Sequence, residues 1–365
     1  MRNLVADFRC EKGHTELNRK LIEYLSTLGS VDIIDNPDGY YQECLKNADI
    51  PDNIKLIKKY FWNTSKIKNT TPGKIIKKII HSINMILQTS DLLKKKYDNV
   101  IVFTYDTFAF ALGRYFLRRQ NVYLFDHGNI DELVNKIKLP LFKIYRNKVN
   151  HIVFAEYMKE HLVREFGVAA SRVFVLPHPL NENREIVASR NIEKKDKLFV
   201  GVSFSNDEDL VKEIMEYEKK NNILGAHNCR IVLKSKVYSY ESEHLKIFNR
   251  YLEREELADL FAEASGILVL YPETYQYRMS GVIMEALSNG IPVVGRRIPI
   301  VEHFASSYPH SCTPFSNIKE MYDLIINNEF HIDEEEVHKF QEDHSDQTIT
   351  KLLKNILDSS TRLSL

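Results

Sequence analysis

The sequence predicts an α/β protein made of two Rossmann-like domains facing each other across a cleft. Three observations carry this. Short β-branched or aromatic runs alternate with longer segments of helical period, the pattern of parallel sheets covered by helices. The alternation stops in a polar stretch after Pro177-His178-Pro179 and then restarts, as it does where one domain ends and another begins. With 365 residues, 44% of them hydrophobic, the chain is long enough for two cores.

In the first domain, set at residues 1–180, Asn3–Phe8 reads as a strand. Thr15–Leu28 reads as a helix, with Thr15 as N-cap and Gly29 as the stop. Val31–Asp35 is the next strand. Residues 36–70 are polar, Lys-rich and broken by Pro37, Gly39 and Pro51, and they give no clear element. Lys74–Gln88 is a helix, Asn99–Tyr105 a strand, Phe108–Arg119 a helix and Val122–Asp126 a strand. Glu132–Tyr145 reads as a basic amphipathic helix interrupted by Pro140. His151–Ala155 is a buried strand, Tyr157–Phe166 a helix ended by Gly167, and Arg172–Leu176 a strand.

Residues 181–196 read as a linker, and the second domain is set at 197–335. Its strands are Leu198–Phe204, Arg230–Leu233, Gly266–Tyr271 and Ile291–Val294. Its helices are Glu208–Asn221, Arg254–Ala264, Val282–Ser288 and Ile318–Asn327. The tail is helical over roughly Glu334–Leu357, and residues 336–365 are expected to pack back toward the first domain.

The chain carries 50 Lys+Arg and 50 Asp+Glu, so a large positive excess of the kind that grips nucleic acid is missing and nucleic acid is not an expected partner. The balance is nevertheless a cancellation. Residues 1–150 hold 25 Lys+Arg against 16 Asp+Glu, a net of +9, and residues 151–365 hold 25 against 34, a net of −9. The four cysteines lie far apart without a CxxC pair, as in reduced cytosolic proteins, and form no zinc-binding pattern. The N-terminal run, broken by charges, does not read as a signal peptide, and no stretch reaches the ~20 apolar residues of a membrane span. A cytoplasmic protein, soluble or peripheral to the inner face of a membrane, is expected.

Several chemistries lose their warrant. The 13 glycines form no GxGxxG, no P-loop and no GxSxG elbow, and the 13 histidines include no HExxH. Asp207-Glu208-Asp209 mimics a metal-binding DxD, but an acidic first turn of the following helix explains it better.

The informative segment is Tyr271–Phe304, YPETYQYRMSGVIMEALSNGIPVVGRRIPIVEHF. Ser280-Gly281 starts a helix whose free amides can hold an anion, and Arg278 lies just before it, placed to fork onto phosphate oxygens. Glu285, in the first turns of the same helix, can accept two hydrogen bonds from a ribose diol. This segment resembles the signature of the GT-B glycosyltransferases of the retaining family 4 type, in which a Glu, seven residues and a second Glu precede EAxxxGxPVV. Glu285, Ala286, Gly290, Pro292, Val293 and Val294 match it, and Tyr277, Arg278, Ser280 and Gly281 form a YRxSG variant. Asn150–Pro179, Lys197–Phe204 and Glu255–Leu270 resemble three further stretches of the family, so the likeness runs in order over roughly residues 95–305.

The resemblance implies transfer of a sugar from a nucleotide-diphospho-sugar, a UDP-sugar as first expectation, to a glycan or lipid-linked saccharide in surface polysaccharide synthesis. It implies retention of anomeric configuration and no metal or other cofactor. The sequence also departs from the family. Tyr277 stands where the first Glu belongs, so it is the residue left to face the sugar. Ser203 replaces the Arg of the FVGRL strand, and Lys234, Lys236 and Arg278 are the candidates for the missing charge around the diphosphate. The Gly-Gly near the first strand is reduced to Lys12-Gly13-His14, which leaves Gly13 and His14 as the loop that approaches sugar or acceptor.

His127 lies in FDHG just past a strand end, where α/β sheets place ligand contacts, and the resemblance implies that it faces the donor sugar. Its neighbour Asp126 is the one carboxylate of the first domain proposed as a base, for the alternative of an inverting enzyme or a nucleotide-sugar epimerase. A second alternative is a non-catalytic GT-B partner that binds a glycan. The basic segments Lys55–Lys78 and Lys136–Lys148 interleave Lys with apolar residues, which suits either a solvated helix face or contact with an anionic membrane surface.

Overall fold

The computed structural model describes residues 1–10, 14–36, 39–46, 51–58, 67–68, 70–117, 121–181, 197–327 and 333–361. Two compact units emerge, Met1–Pro179 with Asp346–Leu365, and Leu180–Ser345. Both are α/β units with a mainly parallel sheet, as the alternating pattern requires.

In the first unit the strands are β1 (Arg2–Ala6), β2 (Ser30–Ile34), β3 (Ile54–Ile57), β4 (Asn99–Val102), β5 (Val122–Phe125), β6 (Asn150–Val153) and β7 (Val173–Val175). They pair in parallel in the order β3-β2-β1-β4-β5-β6-β7. Every residue of β4, β5 and β6 is buried, the mark of strands covered on both faces. The helices are α1 (Thr15–Leu28), α2 (Tyr40–Cys44), α3 (Thr71–Leu92), α4 (Thr107–Gly113), α5 (Lys138–Tyr145) and α6 (Glu156–Phe166).

The second unit holds β8 (Lys197–Gly201), β9 (Cys229–Lys234), β10 (Tyr240–Glu241), β11 (Leu245–Phe248), β12 (Gly266–Val269), β13 (Val293–Arg296) and β14 (Cys312–Phe315). Their order is β10-β11-β9-β8-β12-β13-β14, with only the short edge strand β10 antiparallel among the described residues. Its helices are α7 (Glu208–Asn221), α8 (Ile223–Ala226), α9 (Arg254–Glu263), α10 (Gly281–Ser288), α11 (Pro299–Ser307), α12 (Ile318–Asn327) and α13 (Glu334–Asp343). Helix α14 (Asp346–Thr361) belongs to the first unit, where Tyr24 donates to Asp346 Oδ1 at 2.6 Å and Tyr123 to the Ile356 carbonyl at 3.4 Å. The helical tail is therefore two helices, and the chain passes between units at residues 345–346.

The order of strands reverses between β1 and β4 in one sheet and between β8 and β12 in the other. Such switch points open a crevice at the carboxyl ends of the strands, the usual place for a ligand in this architecture.

Several element ends differ from the sequence reading for local reasons. β1 stops at Ala6 because the Asp7 carboxylate accepts the amides of Arg9 (3.1 Å) and Cys10 (2.8 Å) and turns the chain. Thr15 is not the N-cap of α1; His14 occupies that position and makes no side-chain cap bond. Gly29 is the C-cap of α1, and the close approach there requires a glycine, since a Cβ would lie 2.0 Å from the Met1 carbonyl oxygen. The single helix expected over Glu132–Tyr145 is a 3₁₀ turn, Asp131–Val134, followed by α5. Pro140 lies in the first turn of α5, where its missing N–H is harmless, rather than interrupting a helix. Asn135 Oδ1 accepts from the Ile137 amide at 2.8 Å and so starts α5 afresh. Of the expected linker, 182–196 lies outside the described residues.

Candidate active site

At the second unit's switch point, one phenol links the carboxyl end of β12 to the start of α10. Tyr271 is fully buried just after β12, and its hydroxyl lies 2.6 Å from Ser280 Oγ, with the Ser203 hydroxyl beyond β8 also acting on it. Burial pushes this phenol above its ordinary value against the pull of the two hydroxyls. Ser280 is the N-cap of α10 and accepts from the Ile283 amide at 3.2 Å. Its oxygen is thus committed to the cap and to Tyr271, and Ser203 likewise accepts the Ser205 amide at 3.1 Å. Both hydroxyls, of residues placed at the diphosphate by the sequence, are buried and engaged within the protein.

What remains open is the helix start itself. Gly281 is exposed, and a Cβ added there would meet nothing within 4 Å. Backbone amides at the N-terminus of a helix carry partial positive charge toward such a space. The preceding loop is stiffened by aromatic packing. The Tyr271 and Tyr275 rings lie 4.3 Å apart, Tyr275 donates to the Met279 carbonyl at 3.0 Å, and the Arg278 guanidinium rests 4.8 Å over the Tyr275 ring. Arg278 and Tyr277 are half-exposed on this loop, and Glu285 is half-exposed in the second turn of α10.

Lys234, expected near the diphosphate, is enclosed by protein groups. At the end of β9 it is 3% exposed; its ammonium donates to the Arg250 carbonyl and lies 3.8 Å over the Phe204 ring and 4.5 Å over the Tyr251 ring. Burial, with help from the Arg250 charge, lowers its pKa. This cation is held in an aromatic box and is engaged within the protein. Lys236 is exposed, and its amide donates to Glu208 Oε1 at 2.7 Å.

Four side chains escaped the sequence reading. Phe204 and Tyr251 are exposed aromatics with rings 4.1 Å apart, brought together from beyond β8 and β11. Asn206 ties the ends of β8 and β9 by donating to the Gly201 (2.7 Å) and Lys234 (2.9 Å) carbonyls. Arg296, at the end of β13, pairs with Asp207 (2.6 Å) and Glu273 (2.9 Å). Asp207 is also the N-cap of α7, and Glu208 holds Ser235 and Lys236, so the DED run serves the helix start and its surroundings.

In the first unit, Asp126 and His127 follow β5 but have different fates. Asp126 is 1% exposed; Oδ1 accepts from Tyr105 at 2.5 Å and Oδ2 lies 2.8 Å from His151 Nδ1. His151 Nε2 in turn faces the Arg146 carbonyl at 2.9 Å, so that nitrogen carries a proton. Asp126 is therefore a buried member of a Tyr105–Asp126–His151 chain, and both oxygens of the residue considered as a base are engaged within the protein. His127 is 9% exposed, and its Nε2 has no hydrogen-bond partner among the described residues. Burial first, then the charges of His14 and His178, push its pKa well below the ordinary value, against a hydrogen bond with the Phe103 backbone. The His14 ring lies 4.4 Å away. Gly13 lies outside the described residues.

No protein-family model and no curated protein sequence matches the chain. Solved structures do. A glycosyltransferase from Rickettsia africae is similar over 98% of this chain and 97% of its own, with TM-score 0.64 and 12% identity. Sucrose-phosphate synthase from Thermosynechococcus elongatus is similar over 99% and 97%, with TM-score 0.63 and 12% identity. HepE of Anabaena, in complex with UDP-glucose, is similar over 100% of both chains, with TM-score 0.61 and 12% identity. The fold is that of the GT-B glycosyltransferases. At these identities the likeness speaks for the fold, and the chemistry rests on the side chains above.

Proposed function

We propose that the protein is a glycosyltransferase that moves a sugar from a nucleotide-diphospho-sugar to a glycan or lipid-linked saccharide. The observation that carries this reading is the open start of α10 at the β8/β12 switch point, with Gly281 clear of neighbours, Arg278 before it and Glu285 one turn on. An anionic diphosphate suits the helix start, with the Arg278 guanidinium as a fork for its oxygens. Glu285 is the acceptor for the ribose hydroxyls. Lys236, exposed at the end of β9, is the second cation for the departing diphosphate. Catalysis in this reading comes from holding the reactants in place and from fixed positive charge where the leaving group develops its negative charge.

UDP is the proposed nucleotide, supported by the UDP-glucose complex of the similar HepE fold. Retention of configuration is proposed because Asp126, the base considered for inversion, has both oxygens engaged. Independence of metal is proposed because Asp207 and Glu208 are occupied by protein donors. The neutral His127, with its unpartnered Nε2, is the residue of the first unit proposed to meet a substrate hydroxyl, with Tyr277 at the sugar. The proposed setting is surface polysaccharide synthesis at the inner face of a membrane. No helix among the described residues is long and apolar enough to cross one.

The test is a panel of UDP- and GDP-sugars scored for donor consumption, with UDP binding measured by calorimetry. Donor consumption that falls with Glu285→Ala supports the reading. If no donor is consumed and Glu285→Ala leaves UDP binding unchanged, the transferase reading fails and a non-catalytic partner takes its place.

A further inference from the structure

The first unit contains a cavity of about 770 Å³ that the donor site does not use. Phe8, Cys10, Asn36 and Asp106, which line it, lie a few residues past the ends of β1, β2 and β4. It therefore sits at the carboxyl edge of the sheet, beside the β1/β4 switch point. Its basic side chains are Arg9, Lys77, Lys78 and Lys138, against the carboxylates of Asp106 and Glu132. Both carboxylates are already engaged. Glu132 pairs with Lys138 (2.5 Å) and Arg9 (3.9 Å), and Asp106 caps α4 through the amides of Phe108 and Ala109. Lys77 and Lys78, on α3, are left as excess positive charge on the wall.

The same cavity has an apolar rim that faces water. Ile75, Phe108 and Ile137 line it and are 56%, 39% and 69% exposed. They do not stand alone. Of the twelve exposed large hydrophobic residues among those described, seven lie on α3, α4, α5 and the 3₁₀ turns Arg114–Leu117 and Asp131–Val134, including Leu112, Tyr115 and Val134, and an eighth, Ile137, is the N-cap of α5. These helices pack on one another, so the exposed residues share one region of one unit. A monomeric surface rarely gathers apolar side chains in this way without a partner. The basic charge around them selects an anionic one.

We propose that this cavity binds the phosphate-bearing head of a membrane lipid, with its aliphatic chain leaving over Ile75, Phe108 and Ile137 into the bilayer. Lys77 and Lys78 bind the phosphate, and the remaining exposed hydrophobic residues sink into the membrane surface around the mouth. The proposal rests on the transferase reading only in taking the bound lipid as acceptor; binding itself requires no donor.

Dodecyl phosphate, kept below its micelle-forming concentration, is the probe for calorimetry on the full chain. Saturable binding is expected, unaffected by inorganic phosphate, and weakened about tenfold or more by Lys77→Glu/Lys78→Glu. Location is read at Cys10, which is half-buried and lines the cavity, whereas Cys44, Cys229 and Cys312 are buried. Dodecyl phosphate is expected to slow its alkylation by iodoacetamide. The protein should also float with phosphatidylcholine vesicles that contain dihexadecyl phosphate and not with phosphatidylcholine alone, and Ile75→Ser/Ile137→Ser should reduce this.

Binding of dodecyl phosphate that survives charge reversal, equal competition by inorganic phosphate, or alkylation of Cys10 at an unchanged rate would overturn the proposal. Because none of these measurements involves a nucleotide sugar, their failure leaves donor consumption to be judged separately.

Discussion

Tyr271 and Ser280 are nine residues apart, and a 2.6 Å hydrogen bond between their hydroxyls joins the end of β12 to the start of α10. The Ser203 hydroxyl beyond β8 acts on the same phenol. One buried group therefore sets the position of the helix start proposed to hold a diphosphate. Tyr271→Phe keeps the ring and removes this link, leaving Ser280 Oγ short of a partner. The expected cost is about 1–3 kcal/mol of stability. UDP affinity should also fall several-fold, because the helix start loses its fixed orientation. Ser280→Ala, which loses the cap as well, should cost about 1 kcal/mol through α10 alone. Denaturant unfolding and UDP calorimetry on the two variants check both effects.

Asp126 separates a structural role from a catalytic one. Asp126→Ala leaves His151 and Tyr105 facing each other without an acceptor inside the first unit. Breaking a buried pair of this kind costs about 3–5 kcal/mol. Asp126→Asn keeps the shape and should cost less while leaving turnover per folded molecule close to wild type. Turnover abolished in Asp126→Asn at unchanged stability would restore the base and, with it, the inverting alternative.

Two histidines, His127 buried and His303 half-buried, make stability depend on pH. Burial holds His127 well below its ordinary pKa, and it lowers His303 to about 4, with the neighbouring His344 charge adding to the shift. The unfolded chain takes up these protons near pH 6.5, whereas the folded chain resists them. The unfolded state therefore binds more protons below that pH, and stability falls as pH drops from about 6.5 toward 4, by at most about 1.4 kcal/mol per pH unit for each group. Urea unfolding at about pH 7.5, 6.0 and 5.0, values on either side of the ordinary histidine pKa, should show this decline. His127→Gln/His303→Gln should flatten it.

How much of this could be read from the sequence follows the distance between partners. Helix α10 and its cap were legible because Ser280, Gly281 and Glu285 lie within one local pattern. The alternating apolar runs likewise announced both sheets, since buried parallel strands need continuous apolar residues. The strands missed outright, β3, β10, β11 and β14, lie at or near sheet edges and carry partly exposed residues that blur the pattern. The role of Asp126 was hidden because its partners stand 21 and 25 residues away on other elements. Nothing in the neighbourhood of Lys234 announces that Phe204 and Tyr251 will close over it.

Lys234 and Lys236 give the sharpest contrast, because two lysines of one strand end face opposite environments. The Lys234 ammonium is enclosed by two rings and the Arg250 carbonyl, whereas Lys236 is exposed. Lys234→Met retains an apolar stem that can stay between Phe204 and Tyr251, so UDP affinity should stay within about twofold of wild type. Lys236→Ala removes a mobile cation at the edge where the diphosphate is proposed to lie. It should weaken UDP binding several-fold and make that binding less sensitive to salt, since an exposed charge is the kind that salt screens. Calorimetry with UDP at low and high salt on both variants reads the difference. Equal losses in the two variants would place Lys234 back at the diphosphate, and loss in neither would leave Arg278 and the start of α10 to carry the charge alone.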